Sequence, residues 1–440
     1  MKISGWGLFP SIDAKVFQPS STDELIKLIK SGNLIARGNG RSYGDSSINK
    51  NNTIDMKKFN KIISFDDNSG QLVTQAGVLL SDVIDEFLQR GWFPKVTPGS
   101  KFVTIGGMVA ADVHGKNHHK DGSFGNWVDW IDIINSDGEI ERCSKNQNKE
   151  LFNWTLGGMG LTGVILNVAF KLKRISSAWI KKTVLSSKNL QETVNIFEKK
   201  NNSTYSVAWL DCLSSGANLG RSLLILGEHA ECSELPAEYK KNPFKLKRKK
   251  KIKIPFYLPN LVLNKFTIRI FNSFYYWLGK YINNKSYVDW DSYFYPLDKI
   301  IGWNKIYGKR GLIQFQCVIP TKNSFNCLTE MCKLISKSDC QPFLSVLKKF
   351  GKQDGYISFP QEGYTLALDF AVSKKNLDMM NRLDKIVLKY NGRFYLAKDS
   401  RMTAETLKSS DDRIQNFINF RKLRNNFFIF KSEQSKRLKS

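Results

Sequence analysis

The amino-acid sequence predicts a two-domain α+β fold, and three observations carry the prediction. The chain has 440 residues, enough for two substantial hydrophobic cores. Its first 175 residues alternate strand-like runs with glycine turns, whereas residues from about 176 to 392 read as longer strands and helices with few glycines. Finally, Gly158-x-Gly160-x-x-Gly163 has the spacing of a dinucleotide-binding fingerprint, yet VILNVAFKLK behind it favours a strand. A Rossmann fold needs a helix there, so the match does not establish that fold.

In the first region NLIARGNGRSYGD reads as a short strand entering a loop, and QLVTQAGV as a second strand. LLSDVIDEFLQRG carries apolar residues at helical spacing and stops at Gly91. WVDWIDIINSDGEIERCS reads as a hairpin turning at Asp137-Gly138, a pair that accepts the positive φ of a tight turn. VILNVAFKLK follows as a strand. Further along, QFQCVIP and YTLALDFAV read as strands, NGRFYLAKDSRM as a strand entering a functional loop, and the basic tail from Asp411 as helix. No internal repeat is visible.

Hydrophobic content of 41% and aromatic content of 12% fit an ordered globular protein. The N-terminus lacks a long apolar run, so no cleavable signal peptide is expected. Residues 254–279 come closest to a membrane span, but two prolines, Lys265 and Arg269 interrupt them. Seven cysteines occur without a C-x-x-C pair and read as ordinary buried thiols of a reduced compartment. The formal charge of +27 points to a nucleic acid, an anionic membrane surface or a phosphorylated substrate, or to a Lys-rich compositional bias. The densest charge run, KLKRKKKIKIP at 245–255, leads at once into an aromatic-rich stretch. That is the composition of an interfacial segment, and equally of a solvated loop.

Three of the four histidines, His114, His118 and His119, fall within six residues, inside PGSKFVTIGGMVAADVHGKNHHKDGSFG. Pro98-Gly99-Ser100 and Ile105-Gly106-Gly107 read as backbone-exposing turns, and glycines let main-chain N–H groups approach an anion or a flat ring. A metal site is the rival reading, because His114 and His118 stand four residues apart, but no HExxH signature accompanies them. With Gly38-x-Gly40-x-x-x-Gly44 and residues 157–163, three glycine loops fit a cofactor held by main-chain groups from several strands.

Taken together, RGNGRSYGD, PGSKFVTIGG, HGKNHHKDGSFGN, GGMGLTGV, WNKIYG, QFQCVIP and YLAKDSRMTAET resemble the vanillyl-alcohol-oxidase-type flavoproteins, with their PCMH-type FAD domain. The resemblance is closest to the decaprenylphosphoryl-β-D-ribose 2′-oxidase family and runs in order over nearly the whole chain, least well over 235–290. It implies a split FAD-binding domain, 1–175 with the returning segment 393–440, and a substrate domain at 176–392 built on an antiparallel sheet flanked by helices. FAD contacts carried over are Gly38, Asn39, Gly40, Arg41, Ser42, Tyr43, Pro98, Gly99, Ser100, Thr104, Gly106, Gly107, His114, Gly115, Asn117, Gly163 and Tyr395. Arg41 stands where many relatives attach FAD through a histidine, so non-covalent FAD is expected.

The implied reaction oxidises the 2′-hydroxyl of a polyprenyl-phosphate-linked pentose to a ketone, with hydride passing to the flavin. It is half of an epimerisation in cell-envelope arabinan synthesis, completed by a nicotinamide-dependent short-chain reductase. Lys398 and His114 are the catalytic candidates, and Tyr43, Lys116, Trp209, Gln314, Gln316, Lys348 and Thr365 the substrate-binding ones. Gln314 and Gln316 alternate on a strand, so both reach one face. Where mycobacterial members carry a pocket cysteine this chain has Ala367, and Thr365 replaces a typical asparagine. The expected location is cytoplasmic and peripheral to a membrane. An oxidase of a soluble sugar or aldonolactone is the alternative. A nucleic-acid-binding protein is remoter, since no zinc-finger, RNP or helix-turn-helix signature appears.

Overall fold

The computed structural model describes residues 1–246, 252–259, 263–281 and 285–440. Part of the basic run at 245–255 and residues 260–262 of the aromatic stretch therefore lie outside the described residues.

Two antiparallel sheets organise the chain. The first runs Ile140–Ser144, Val128–Ile134, Val164–Arg174, Gln71–Gln75, Ile62–Asp66, with Trp92–Pro94 beside the far end of Val164–Arg174. The stretch behind Gly163 is thus a strand and not a helix. Its length, eleven residues, lets it pair with three others. The hairpin at Asp137-Gly138 forms with Gly138 at φ +85°, and Gly91 closes the helical Leu80–Arg90 stretch at φ +77°. A small parallel sheet of Val16–Phe17, Asn52–Asp55 and Leu34–Arg37 delivers the first glycine loop.

The second sheet has eight strands in the order Lys285–Asp289, Trp179–Ser187, Ser222–His229, Tyr205–Leu210, Leu344–Phe350, Gly363–Ala371, Leu312–Pro320 and Arg393–Phe394. Every pair is antiparallel. Helices Leu190–Lys199, Thr321–Lys337 and Lys374–Lys389 cover one face through Leu328, Met331, Ile335, Leu383 and Val387, all fully buried. The other face carries the site and is covered at Trp179–Ser187 and Ser222–His229 by the helix Lys265–Tyr281.

The returning segment begins inside this second sheet, because Phe394 pairs with Cys317. It then crosses back. Arg421 donates to the Leu161 carbonyl, Asn426 to the Thr162 carbonyl, and Phe430 bridges Leu34. One difference from the sequence reading concerns Ile105-Gly106-Gly107. It is the first turn of a helix, Ile105–Ala110, because Thr104 caps it by accepting from the Gly107 N–H.

Candidate active site

Register brings the site together. On the Gly363–Ala371 strand, Asp369 sits between Gln314 and Leu344, Ala367 between Gln316 and Val346, and Thr365 between Val318 and Lys348. Trp209 pairs with Val346 one strand further out. Alternation points these side chains to one face and Leu366, Leu368 and Phe370 to the helices. Gln314, Gln316, Thr365, Lys348 and Trp209 therefore line a single wall.

His114 reaches that wall from the loop behind the Ile105–Ala110 helix, where it bridges Ser123. Asp112, at φ +37°, turns the chain and accepts from Ser123 Oγ (2.7 Å), the Gly125 N–H (2.8 Å) and Ser358 Oγ. The His114 ring then sits edge-on to Phe350 and meets Gln316 Nε2 at 3.0 Å through Nε2 and Lys348 Nζ at 3.5 Å through Nδ1. Burial, then the Lys348 charge, holds its pKa well below the usual imidazole range, so the ring is neutral at physiological pH.

Three lysines stand within electrostatic reach of one another along this wall, which bounds the candidate cleft. Lys398 lies with Nζ 3.8 Å above the Tyr43 ring, and Lys116 donates to the Tyr293 carbonyl. Burial lowers Lys116 and Lys348 to about 7 and Lys398 to about 8, each lysine depressing its neighbour along the row. Among the described residues none of the three forms an ion pair. Asp369 is the one carboxylate that supports them. It is buried, accepts from Gln314 Nε2, rises to about 6 through burial, and holds Lys398 up against its own desolvation. Sequence reasoning missed it, although its place in the alternation of YTLALDF put it on the face shared by Thr365 and Ala367.

The histidine cluster separates. His118 accepts from the Gly351 N–H through Nδ1 (3.3 Å) and meets Gln353 Oε1 through Nε2 (3.1 Å), while His119 meets the Ser203 carbonyl (2.8 Å). Both pin the loop to the second sheet, and only His114 faces the cleft.

The first glycine loop offers main-chain donors. The N–H groups of Asn39, Gly40, Arg41 and Ser42 have no acceptor among the described residues. Gly99 is exposed with open space where a Cβ would point, and Gly107 is also exposed. Such a cradle fits a pyrophosphate and a flat ring. Arg41 stacks on Trp6 at 4.1 Å, and Ser100 donates to Asp298, a second carboxylate not anticipated from the sequence. Pro98 precedes this turn.

Other glycines answer to packing. A side chain at Gly38 would strike Thr104, at Gly106 it would strike Ala76, at Gly115 Asn117, and at Gly163 Ile133. Asn117 donates to the Lys95 carbonyl and Asp121, so its amide braces the loop. Tyr395 stacks on Phe359 and donates to the Ala111 carbonyl at 3.1 Å.

Comparison with known proteins adds identity to geometry. A family model described as an FAD binding domain matches residues 14–144. The chain is 33% identical over 448 residues to decaprenylphosphoryl-beta-D-ribose oxidase of Mycolicibacterium smegmatis, covering 99% of this chain and 97% of that one. A putative D-arabinono-1,4-lactone oxidase of Neurospora crassa is 29% identical over 46% of this chain and 36% of its own. L-gulonolactone oxidase of Bos taurus is 28% identical over 35% of this chain and 36% of its own.

Proposed function

The chain belongs to the decaprenylphosphoryl-β-D-ribose oxidase family of FAD-dependent oxidoreductases, and from that premise we propose that it oxidises the 2′-hydroxyl of a polyprenyl-phosphate-linked ribose to the ketone. The observation that carries the substrate class is the row of three lysines without ion pairs, Lys116, Lys348 and Lys398, beside the neutral His114–Gln316 pair. Asp369 supports Lys398, but no carboxylate supports Lys116 or Lys348, and a sugar phosphate supplies the anion that their charged forms need. The lactone-oxidase likeness reaches less than half of this chain, so it does not carry the substrate.

FAD, when bound, supplies the hydride acceptor. Asn39, Gly40, Arg41 and Ser42, with Gly99 and Ser100, fit it through main-chain N–H groups that have no acceptor among the described residues, whereas those of Tyr43 and residues 105–107 are already engaged. Arg41 offers no nucleophile for a covalent bond, so binding is non-covalent. Domain roles follow the resemblance: 1–175 with 393–440 holds the flavin and 176–392 the substrate. Lys116 and Lys348, in their charged forms, hold the phosphate. Gln314, Gln316 and Thr365 orient the sugar hydroxyls, with Trp209 and Tyr43 as walls. Lys398 takes the proton of the 2′-hydroxyl at Nζ, since a pKa of about 8 leaves a neutral fraction near pH 7. His114 stays neutral and positions its neighbours. A nicotinamide-dependent reductase completing the epimerisation is the partner, and a lipid-linked substrate sets the protein at a membrane surface.

The decisive test is anaerobic visible absorption of the purified protein before and after adding polyprenylphosphoryl ribose. Bleaching of the flavin band, with a 2′-keto sugar recovered, is the expected result. A band that persists at saturating substrate rejects this sugar.

A further inference from the structure

An exposed apolar surface runs along the Lys265–Tyr281 helix. Asn264 caps it, accepting from the Phe266 and Thr267 N–H groups at 2.9 and 3.1 Å. Its inner face is fixed: Ile268 and Asn272 are buried, Asn272 donates to Asp211 at 2.8 Å, and Tyr276 donates to the Ser187 carbonyl at 3.1 Å. Its outer face carries Phe266, Ile270, Phe274, Trp277 and Tyr281, each between 53% and 72% exposed. Spacings of four, four, three and four residues make these one stripe along the helix. Water-facing side chains of this size in a row are not the surface of a monomer that has no partner.

The composition of the segment that carries the stripe says what the partner is. Residues 239–288 hold thirteen Lys or Arg and no Asp or Glu. Among the described residues Lys265 pairs with Asp339 at 3.4 Å, and an apolar stripe on a segment with this excess of cations matches the acyl boundary and anionic headgroups of a bilayer. A nucleic acid would use the cations and leave Phe266, Ile270 and Phe274 without a role. The inner face adds a link to the site, for Tyr275 packs edge-on to Trp209 at 5.0 Å and Phe271 lies 5.7 Å from Phe343.

We propose that the Lys265–Tyr281 helix lies in the surface of an anionic membrane through Phe266, Ile270, Phe274, Trp277 and Tyr281. The same helix backs the pocket wall at Trp209, so a polyprenyl chain passes from lipid to site along it. This second part rests on the lipid-phosphate reading of the substrate.

The test uses the full-length FAD-loaded protein and a Phe266→Ser/Phe274→Ser/Trp277→Ser variant, sedimented with vesicles of phosphatidylcholine alone or mixed equally with phosphatidylglycerol. The wild type binds the mixed vesicles at least about tenfold more tightly than the neutral ones, and the variant loses at least about tenfold. Its turnover of a water-soluble short-chain polyprenylphosphoryl ribose stays unchanged, while turnover of vesicle-borne long-chain substrate falls in parallel with binding. A Phe266→Leu/Phe274→Leu/Trp277→Phe variant keeps vesicle binding. Equal partition of the serine variant and wild type overturns the proposal. So does a lipid-free dimer that the serine variant dissociates. If neither protein turns over the short-chain substrate yet the serine variant still loses the vesicles, the docking surface stands and the substrate reading falls.

Discussion

At the scale of single residues the informative group is Asp369, because its charge sets the working range of Lys398. Depressed by burial and lifted by Asp369, Lys398 sits at about 8, so a reaction that needs its neutral form accelerates as pH rises through that value. Asp369→Asn removes the lifting charge, lowers the Lys398 pKa and moves the acidic limb of kcat to lower pH. A limb that stays in place in stopped-flow flavin reduction removes Lys398 from the role. Lys398→Met keeps FAD and loses about 10²-fold or more in kcat. Lys116 and Lys348 act on the phosphate instead. Lys348→Met raises KM for a phosphorylated substrate at least about tenfold and leaves kcat within a few-fold, the expected split for a group that binds ground and transition states alike. Equal losses in KM for phosphorylated and unphosphorylated sugars would speak against that role.

Elements bring these residues into contact, and the joint between the first glycine loop and the Lys398 loop is close. A Cβ at Gly44 would lie 2.1 Å from the Asp399 carbonyl oxygen, so the two loops touch backbone to backbone. The C-terminal helix Glu433–Leu438 clamps them: Arg437 pairs with Asp45 at 2.8 Å and Asp399 at 2.9 Å, and Gln434 donates to the Leu396 carbonyl. Both carboxylates are buried and Arg437 is 26% exposed, so breaking the clamp leaves two unpaired charges with partial access to water. Arg437→Met is expected to destabilise by about 2–3 kcal/mol in urea titration, below the full range for a buried pair because of that access. Kcat falls with it, since the loop that carries Lys398 loosens. Much of this architecture was legible beforehand. Strand alternation in QFQCVIP gave the Gln314–Gln316 wall, and Asp137-Gly138 gave the hairpin. Three features were not. Ile105-Gly106-Gly107 looked like a turn because two glycines hide a helix start that Thr104 caps, and Asp298 docks from a distant segment that no local pattern announces. Asp369 was passed over because a lone Asp in an apolar strand carries no sign of the lysine that another loop brings to it.

For the molecule as a whole, the lysine row makes stability depend on pH in a direction opposite to most acid-stabilised folds. Lys116 and Lys348 at about 7, and Lys398 and Lys173 at about 8, all lie below the ordinary lysine value. Above their folded values they are neutral in the native state while the unfolded chain keeps its protons, so unfolding takes up protons and stability rises with pH. The raised carboxyl of Asp369, at about 6, acts only below that range, in the window where stability falls as pH rises. Cys143 and Cys327, pushed up to about 12 by burial, lower stability once unfolded thiols ionise, above about pH 8.5. Between pH 7 and 8.5 the lysines therefore dominate, and the formal charge of +27, whose self-repulsion weakens as protons leave, adds in the same direction. The melting temperature of the FAD-loaded protein without substrate is expected to rise by a few degrees over this window. A saturating phosphorylated ligand reverses the logic, because it holds Lys116 and Lys348 protonated and its binding near pH 8 takes up protons. Titration calorimetry in buffers of different ionisation enthalpy reads that uptake directly. Zero uptake, together with a melting temperature flat from pH 7 to 8.5, would mean that the lysines keep their charge in the empty site and that the cleft is wetter than its walls imply.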